Sequence, residues 1–405
     1  MAKVTVLGGC GAVGSVAVRT LVESNKVSEV VIADINAERA GKIAESVGEE
    51  KVKFIHTDVF NPEDIKKAIR GCDVVLNTTG PFYKFVKTIL TAVIECRLNY
   101  VDVCDDVDVT CDILKMDNDA QKADITVLIG MGSSPGVTNL LAKFASDTLL
   151  DSTEAIDIYH AHGGEPFEGK GVIGHRFHCM SIDVPMFLDG KLTTVKFFEP
   201  DGIALREKVD FYRLGKNITV YPYPHPEQVT LPRFIKVNQV TNKGTVLPEE
   251  YYELTMNIHR LGMSDKEPLL VKGQIVVPYD FAIAYIIRER EKILKRTNFG
   301  AQRGCLKIVV SGKKNGKKRK FIFSIASENQ ALGEGTGIPA AIAVLLMLDG
   351  KITKKGVLPP EGCINPLDFL NMVKSVIKPT ADGKSFEGVL VESVDEDGNV
   401  TKLMI

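Results

Sequence analysis

Up to residue 130 the chain alternates brief, continuously apolar runs with longer stretches in which apolar positions return every three or four residues. Short runs rich in Val and Ile predict strands buried on both faces, and the three-to-four spacing predicts amphipathic helices. The strands are read at Lys3–Gly8, Val27–Asp34, Lys51–His56, Asp73–Asn77, Tyr100–Val103 and Ile125–Ile129. The helices between them are read at Val13–Glu23, Ala37–Val47, Pro62–Ile69, Phe82–Glu95 and Thr110–Ala123. Strands joined by helices of this length run parallel, so the pattern predicts an α/β, doubly wound sheet with right-handed crossovers.

Beyond Pro135 the texture changes to longer alternating segments punctuated by Gly and Pro. Ala155–Tyr159, Leu192–Phe198, Lys208–Phe211, Ile218–Val220, Ile235–Val240, Leu306–Val310 and Arg319–Ala326 predict a largely antiparallel sheet, hence a second, α+β domain. Asn315-Gly316 predicts a tight hairpin, and the basic run Lys313–Lys320 is its solvated tip. A helix is predicted again over Gly337–Leu348, with Pro339 in its first turn. Glu396-Asp397-Gly398-Asn399 is read as a turn between two short terminal strands.

Composition narrows the classes. With 405 residues, 44% hydrophobic and 25% charged, the chain is globular and of two or three domains, not fibrous, disordered or a disulfide scaffold. Fifty basic against 52 acidic residues give a net charge of -2, which offers no field for a polyanion, so no nucleic-acid partner is expected. The longest strongly apolar stretch, Ala340–Leu348, is far short of the roughly 20 residues a bilayer demands, and no membrane span is expected. Met1-Ala2-Lys3 leads straight into a strand without an export leader, and the eight cysteines have no zinc-knuckle or dithiol spacing. The expected location is cytoplasmic, with reduced thiols.

Gly9-Cys10-Gly11-Ala12-Val13-Gly14 fits G-x-G-x-x-G between the first strand and the first helix. Its glycines permit the tight turn, the approach of a pyrophosphate and close helix packing, while the helix N-terminus offers N–H groups to the anion. Asp34, twenty residues after Gly14, ends the second strand where a carboxylate can accept from an adenosine ribose. Ile35 and Asn36 bring no positive charge for a 2′-phosphate, so NAD is expected in preference to NADP. After the third strand, Asp58 and Val59 are read beside the adenine, with helix capping an equal reading of Asp58.

In such a sheet the ligand lies beyond the carboxyl ends of the strands. The fourth strand leads into Asn77-Thr78-Thr79-Gly80-Pro81-Phe82, where Thr78, Thr79, Gly80 and Pro81 can pass close to a flat ring. The fifth leads into Asp102-Val103-Cys104-Asp105-Asp106-Val107-Asp108, whose carboxylates can orient an amine or serve as acid and base, Asp102 and Asp105 being the candidates. The sixth ends in Ser134-Pro135-Gly136, read as a second helix N-terminus open to a substrate carboxylate. In the second domain, Tyr221-Pro222-Tyr223-Pro224-His225-Pro226-Glu227 is a braced loop that can project His225 as an acid–base group and Arg233 as a carboxylate clamp. His160 and His162 share one face of a strand, but no third ligand follows at a persuasive spacing and no metal is expected.

Taken together, the glycine turn, Ser134-Pro135-Gly136 with Asn139–Leu141, and the segments Gly337–Ala341, Leu348–Ile352 and Lys355–Glu361 resemble the saccharopine dehydrogenase (saccharopine reductase) family, which includes lysine 6-dehydrogenases and carboxynorspermidine dehydrogenases. The resemblance covers residues 1–145 and 330–365. It implies a Rossmann domain interrupted by an α+β domain that supports a homodimer, with the carboxyl-terminal helix returning to the first domain. The implied boundaries are 1–132 for the Rossmann domain, 133–330 for the substrate and dimerisation domain, 331–375 for the return segment and 376–405 for a terminal β tail. The implied reaction is hydride transfer between a nicotinamide and the amine carbon of an amino-acid substrate through an imine. Thr79–Phe82 and Tyr100–Asp102 also resemble enoyl reductases of the same type, and a non-catalytic NAD-binding sensor is the alternative from another class.

Overall fold

The structure, a computed structural model, describes residues 1–166, 168–328, 331–377 and 389–403. The six strands read at the amino terminus are present as β1 Ala2–Leu7, β2 Val27–Asp34, β3 Val52–His56, β4 Val74–Asn77, β5 Asn99–Asp102 and β6 Thr126–Leu128. They pair in parallel in the spatial order β6-β5-β4-β1-β2-β3, and Gly356–Leu358 adds a seventh strand outside β6. The order reverses between β1 and β4, which is where an open α/β sheet leaves a crevice at its carboxyl ends. Val4, Val6, Val30, Val31 and Ile32 are wholly inaccessible because helices cover both faces, the reason these strands read as continuous apolar runs.

Two helices differ from the sequence reading. The helix expected over Thr110–Ala123 is divided into Val107–Ile113, a tight turn at Leu114–Met116, and Asp117–Lys122. The helix expected from Gly337 begins at Ala331, so Pro339 lies inside it. Gly333, Gly335 and Gly337 hid that start, since glycine is a poor helix former. Here bare backbone is what packing requires: a Cβ on Gly337 would stand 2.6 Å from the Val13 carbonyl oxygen of α1, Ala12–Glu23. Ala340–Leu346 are at most 3% exposed, wedged between α1, the sheet and the helix Pro366–Val376. Each Ile, Val or Leu side chain so buried contributes about 1.5–3 kcal/mol.

The second sheet has ten strands. Its centre is Ser152–Gly163, antiparallel to Arg303–Lys314 on one side and parallel to Gln239–Leu247 on the other. Arg303–Lys314 and Lys317–Glu328 form the hairpin read at Asn315-Gly316, where both residues have positive φ, 52° and 76°. Leu390–Val394 and Val400–Leu403 extend the sheet beyond it. Residues 378–388 and 404–405 of the expected tail lie outside the described residues.

The strand expected at Ile235–Val240 instead spans Gln239–Leu247. Thr241, Asn242, Lys243 and Thr245 of that strand are all buried, Thr241 donating to Asp157, so polar residues occupy core positions and no alternation marks the strand. All eight cysteines are free, and no described helix is long and apolar enough to cross a membrane.

Candidate active site

The glycine turn leaves β1 through Gly8, whose φ is +74°, and enters α1 after Gly11. A Cβ on Gly14 would meet the Gly8 carbonyl oxygen at 2.3 Å, Thr78 Oγ1 at 2.6 Å and Gly9 Cα at 2.8 Å, so the third glycine is fixed by packing. Around Gly11 only the Gly8 oxygen comes near, at 3.2 Å, which leaves that backbone uncovered. The first turn of α1 carries no acidic residue to compete with an anion. Asp34 is bonded into the turn: Cys10 N donates to Oδ2 and Asn36 N to Oδ1, each at 3.0 Å. Thr78 Oγ1 donates to the Leu7 carbonyl at 2.9 Å, and Thr79 Oγ1 is buried beside Gly8 without a partner. An uncovered turn, an open helix end and a hydroxyl with no partner among the described residues fit a dinucleotide, which the Gly9–Gly14 backbone would hold.

Beyond this turn, a cavity of about 570 Å³ opens at the carboxyl ends of β4, β5 and β6. Val13, Thr78, Gly80, Pro81, Asp105 and Asp106 line it from the first domain, while His160, His175, Arg176, Tyr223 and His225 come from the second. Its deeper wall is apolar, with Leu306, Ile325, Ile342 and Phe369.

One end of the cavity is acidic. Asp106 Oδ2 accepts from Tyr83 N, and its Oδ1 lies 3.2 Å from His175 Nδ1. Asp105 lies 3.8 Å from His175 Nε2. Burial alone would push His175 down, but Cys179, Asp105 and Asp106 outweigh it and hold the imidazole well above its ordinary value. Burial, with Asp106 adding to it, raises the carboxyl of Asp105. Two carboxylates against one imidazolium leave a charge of about -1 at this end when both are ionised.

His225 lines the same cavity. Its backbone N–H donates to Gln228 Oε1 at 2.9 Å, and Gln228 Nε2 donates to the Tyr223 carbonyl at 3.1 Å, which braces the proline loop from below. Ser134 Oγ gives its hydrogen to Glu227 Oε1 at 2.6 Å, so His225 Nδ1, 3.2 Å from Glu227 Oε2, is the donor in that pair. Nε2 is thereby left for a ligand. Burial pushes Glu227 up, but the charge and hydrogen bond of His225, with Ser134, hold it below the usual carboxylate range. The His160 ring lies nearly parallel to that of His225, 5.4 Å away, with burial and then His225 pushing it well below its ordinary value. Arg176 supplies the cation of the cavity, with Nη1 and Nη2 donating to the buried Glu168 carboxylate at 2.7 and 2.9 Å.

Two family models cover the chain, the saccharopine dehydrogenase NADP binding domain over residues 4–128 and the saccharopine dehydrogenase C-terminal domain over residues 132–378. The chain belongs to the saccharopine dehydrogenase family. It is 23% identical to a carboxyaminopropylagmatine dehydrogenase of Synechocystis sp., across 91% of this chain and 94% of that one. It is 26% identical to a carboxynorspermidine synthase of Vibrio cholerae over the same shares. The fold matches apo saccharopine dehydrogenase (L-Glu forming) from Saccharomyces cerevisiae with a TM-score of 0.70 at 16% identity, covering 97% of this chain and all of that one.

In this saccharopine dehydrogenase family member the residues expected at the site divide into three groups. Gly9, Cys10, Gly11, Ala12, Val13, Gly14, Asp34, Thr78, Thr79, Gly80 and Pro81 come together around the turn and the cavity mouth. Ile35 and Asn36 follow Asp34, with Ile35 68% exposed. Asp58 is exposed and its side chain folds locally, accepting from Phe60 N at 2.9 Å, while Asn61 caps the next helix by accepting from Glu63 N. Val59 packs against the core.

Asp105 and His225 line the cavity, but Asp102 and Arg233 do not. As the last residue of β5, Asp102 turns into the sheet, where it is wholly buried and accepts from Gly130 N, Cys104 N and Tyr100 Oη. It fastens β5 to the loop after β6. Arg233 ends the tight turn Leu231–Arg233, which rotates its side chain to the surface. The amino end of the helix Val137–Phe144 is not open either: Gly136 N donates to Asn139 Oδ1 at 2.8 Å, and Val137 N and Thr138 N to the Gly132 and Ser133 carbonyls.

His175 and Arg176 escaped the sequence reading, because in their helix, Lys170–Ser181, Gly174 and Arg176 are buried along with Ile173, Phe177 and Met180, which blurs the apolar face. Gly244 was a signal available for His160. It is the register partner of His160, and a Cβ there would lie 1.9 Å from the imidazole, the close approach that an isolated strand glycine announces.

Burial, partly offset by its hydrogen bonds, raises Asp102 to about 6. The unfolded chain releases that proton near pH 4, so between about pH 4 and 6 the folded state holds one more proton and stability falls as pH rises. The expected contribution at neutral pH is a loss of about 2 kcal/mol relative to pH 4. Asp102→Asn removes this slope while its oxygen still accepts from Gly130 and Cys104. Melting temperatures of both proteins across that window check it, and parallel curves refute it.

Proposed function

We propose that the protein is a nicotinamide-dependent dehydrogenase acting on the CH–NH bond of a polyamine that carries a carboxylated aminoalkyl group. The observation that carries this reading is the presence, in one cavity, of a net acidic end at Asp105, Asp106 and His175 and of the Arg176 guanidinium, which Glu168 engages from behind. An ammonium or secondary amine suits the first and a carboxylate the second. The apolar lining of the same cavity suits a polymethylene chain. The names of the Synechocystis and Vibrio relatives, a carboxyaminopropylagmatine and a carboxynorspermidine, support the same class. Bound at the glycine turn, a nicotinamide supplies or accepts the hydride. His225, its Nδ1 held by Glu227, takes the amine proton as the imine forms or returns it in reduction.

The absorbance of reduced nicotinamide tests this with purified protein, NAD or NADP, and in turn a carboxylated polyamine, saccharopine and lysine. Turnover with the polyamine supports the reading. Turnover with saccharopine alone redirects it to an amino-acid substrate, and silence with every amine while NADH binds overturns it in favour of a reductase.

For the cofactor we propose NAD. The Asp34 carboxylate would face a 2′-phosphate, and Arg39, a cation whose charge reaches Cys10, is exposed in the first turn of the next helix. The expected result is an NADH affinity at least about tenfold above that for NADPH, a difference of about 1.4 kcal/mol. Arg39→Ala is expected to leave NADH binding intact and weaken NADPH further. Equal dissociation constants would reject the preference.

A further inference from the structure

His225 is connected through the protein interior to a second opening. Glu227 Oε2 lies 3.2 Å from His225 Nδ1, and Glu227 Oε1 accepts from Thr138 Oγ1 at 2.8 Å. The neighbouring Asn139 donates through Nδ2 to Glu361 Oε2 at 2.9 Å, with Thr230 Oγ1 at 3.4 Å. Glu227, Thr138 and Asn139 are wholly buried and Glu361 is 3% exposed. Glu361 lines a separate cleft of about 340 Å³, and its Oε1 has no hydrogen-bond partner among the described residues. Three parts of the chain thus meet at one polar junction: the helix Val137–Phe144, the turn Glu227–Thr230 that carries the His225 loop, and the return segment at Pro360–Cys363.

We propose that Glu361 is a positioning residue for His225: its carboxyl, protonated or ionised according to the solvent in the second cleft, sets the charge beside Glu227 and through it the proton affinity of the imidazole. This rests on the reading of His225 as the acid–base group. Two carboxylates in one water-poor junction do not both ionise cheaply, so a single proton is divided between them. Glu227 is held ionised by His225 and hydroxyl donors, which leaves the proton to Glu361. Burial above all, with Glu227 adding to it, pushes Glu361 up to about 7.

The other groups around the pair do not replace this effect. Glu361 faces Asn139, Thr230 and Glu227, with Cys363 on its own turn and Lys354 nearby. Lys354 Nζ is engaged by the Gly362 carbonyl at 2.7 Å, and in the same cleft Lys143 pairs with Asp147 at 2.5 Å. His225 faces Glu227, Ser134, Asp105, His160 and Tyr223.

Histidine-selective NMR titration of the whole protein is the test, with His225→Asn identifying the signal among the seven histidines. The His225 imidazole is expected to titrate in two steps in the native protein, as interacting sites do. In Glu361→Gln, which keeps the bond from Asn139 but never ionises, one step is expected, with its midpoint lower by about half to one pH unit. The pH profile of kcat should move with it while NADH affinity stays unchanged. Glu361→Asp, which retains a titrating carboxyl, should restore the second step, a rescue that a merely structural role would not give. Superimposable native and Glu361→Gln curves would overturn the proposal. A lost second step together with unchanged turnover in His225→Ala would uphold it and overturn the acid–base reading alone.

Discussion

Gly14→Ala weakens nicotinamide binding by about ten- to a hundredfold and lowers the melting temperature as well. The added methyl group would enter the space of Gly8 O, Thr78 Oγ1 and Gly9 Cα at 2.3 to 2.8 Å, and two of those three atoms are backbone of the turn itself. Relief therefore moves the segment whose N–H groups meet the pyrophosphate. Overpacking of this kind costs about 1–3 kcal/mol, and every 1.4 kcal/mol lost from binding is tenfold in Kd. Gly11→Ala separates the two effects. Its surroundings admit a methyl group with one contact at 3.2 Å and its backbone is extended, so the fold should survive while the pyrophosphate is blocked. NADH fluorescence titration and thermal melts of both variants check this, and native affinity in Gly14→Ala would refute it.

His225→Ala is expected to lower turnover by about a hundred- to ten-thousandfold, the range a positioned acid–base group supplies. NADH affinity should remain within about twofold, because the imidazole sits on the second-domain side of the cavity and makes no bond to the glycine turn. Asp105→Asn should behave differently. It removes charge from the end proposed for the amine, so the larger effect is expected in KM. Unchanged kcat in His225→Ala would remove that residue from the chemistry.

These residues were not equally legible. The glycine turn and Asp34 could be read because they are contiguous or separated by one helix and strand, and local spacing fixes their geometry. Asp105 and His225 could be nominated because unusual loops carry them, but nothing local distinguished Asp105 from Asp102, three residues away. That distinction depends on which carboxylate meets Gly130 N, which comes from the loop after β6. The guanidinium of the cavity was sought in the wrong place for a similar reason. A clamp was sought beside the proline loop, while the guanidinium in the cavity comes from a helix that folds over it. Glu361 ends a segment that carried the family resemblance, but no role could be read for it, since its meaning lies in burial against Asn139 and Thr230.

The seventh strand and the helix Ala331–Leu348 complete the first domain from the far end of the chain. During synthesis β6 leaves the ribosome with its outer edge unpaired, and α1 emerges without the apolar helix that later covers it. Residue 358 follows residue 128 after roughly 10 to 50 s at ordinary elongation rates. Throughout that interval the nascent domain presents an open parallel edge and an uncovered apolar face, which are the surfaces that holdase chaperones and other nascent chains bind. A fragment ending near residue 145 is accordingly expected to be insoluble when expressed alone. Supplying 331–377 in trans is the rescue to look for, since that piece carries both the missing strand and the missing cover.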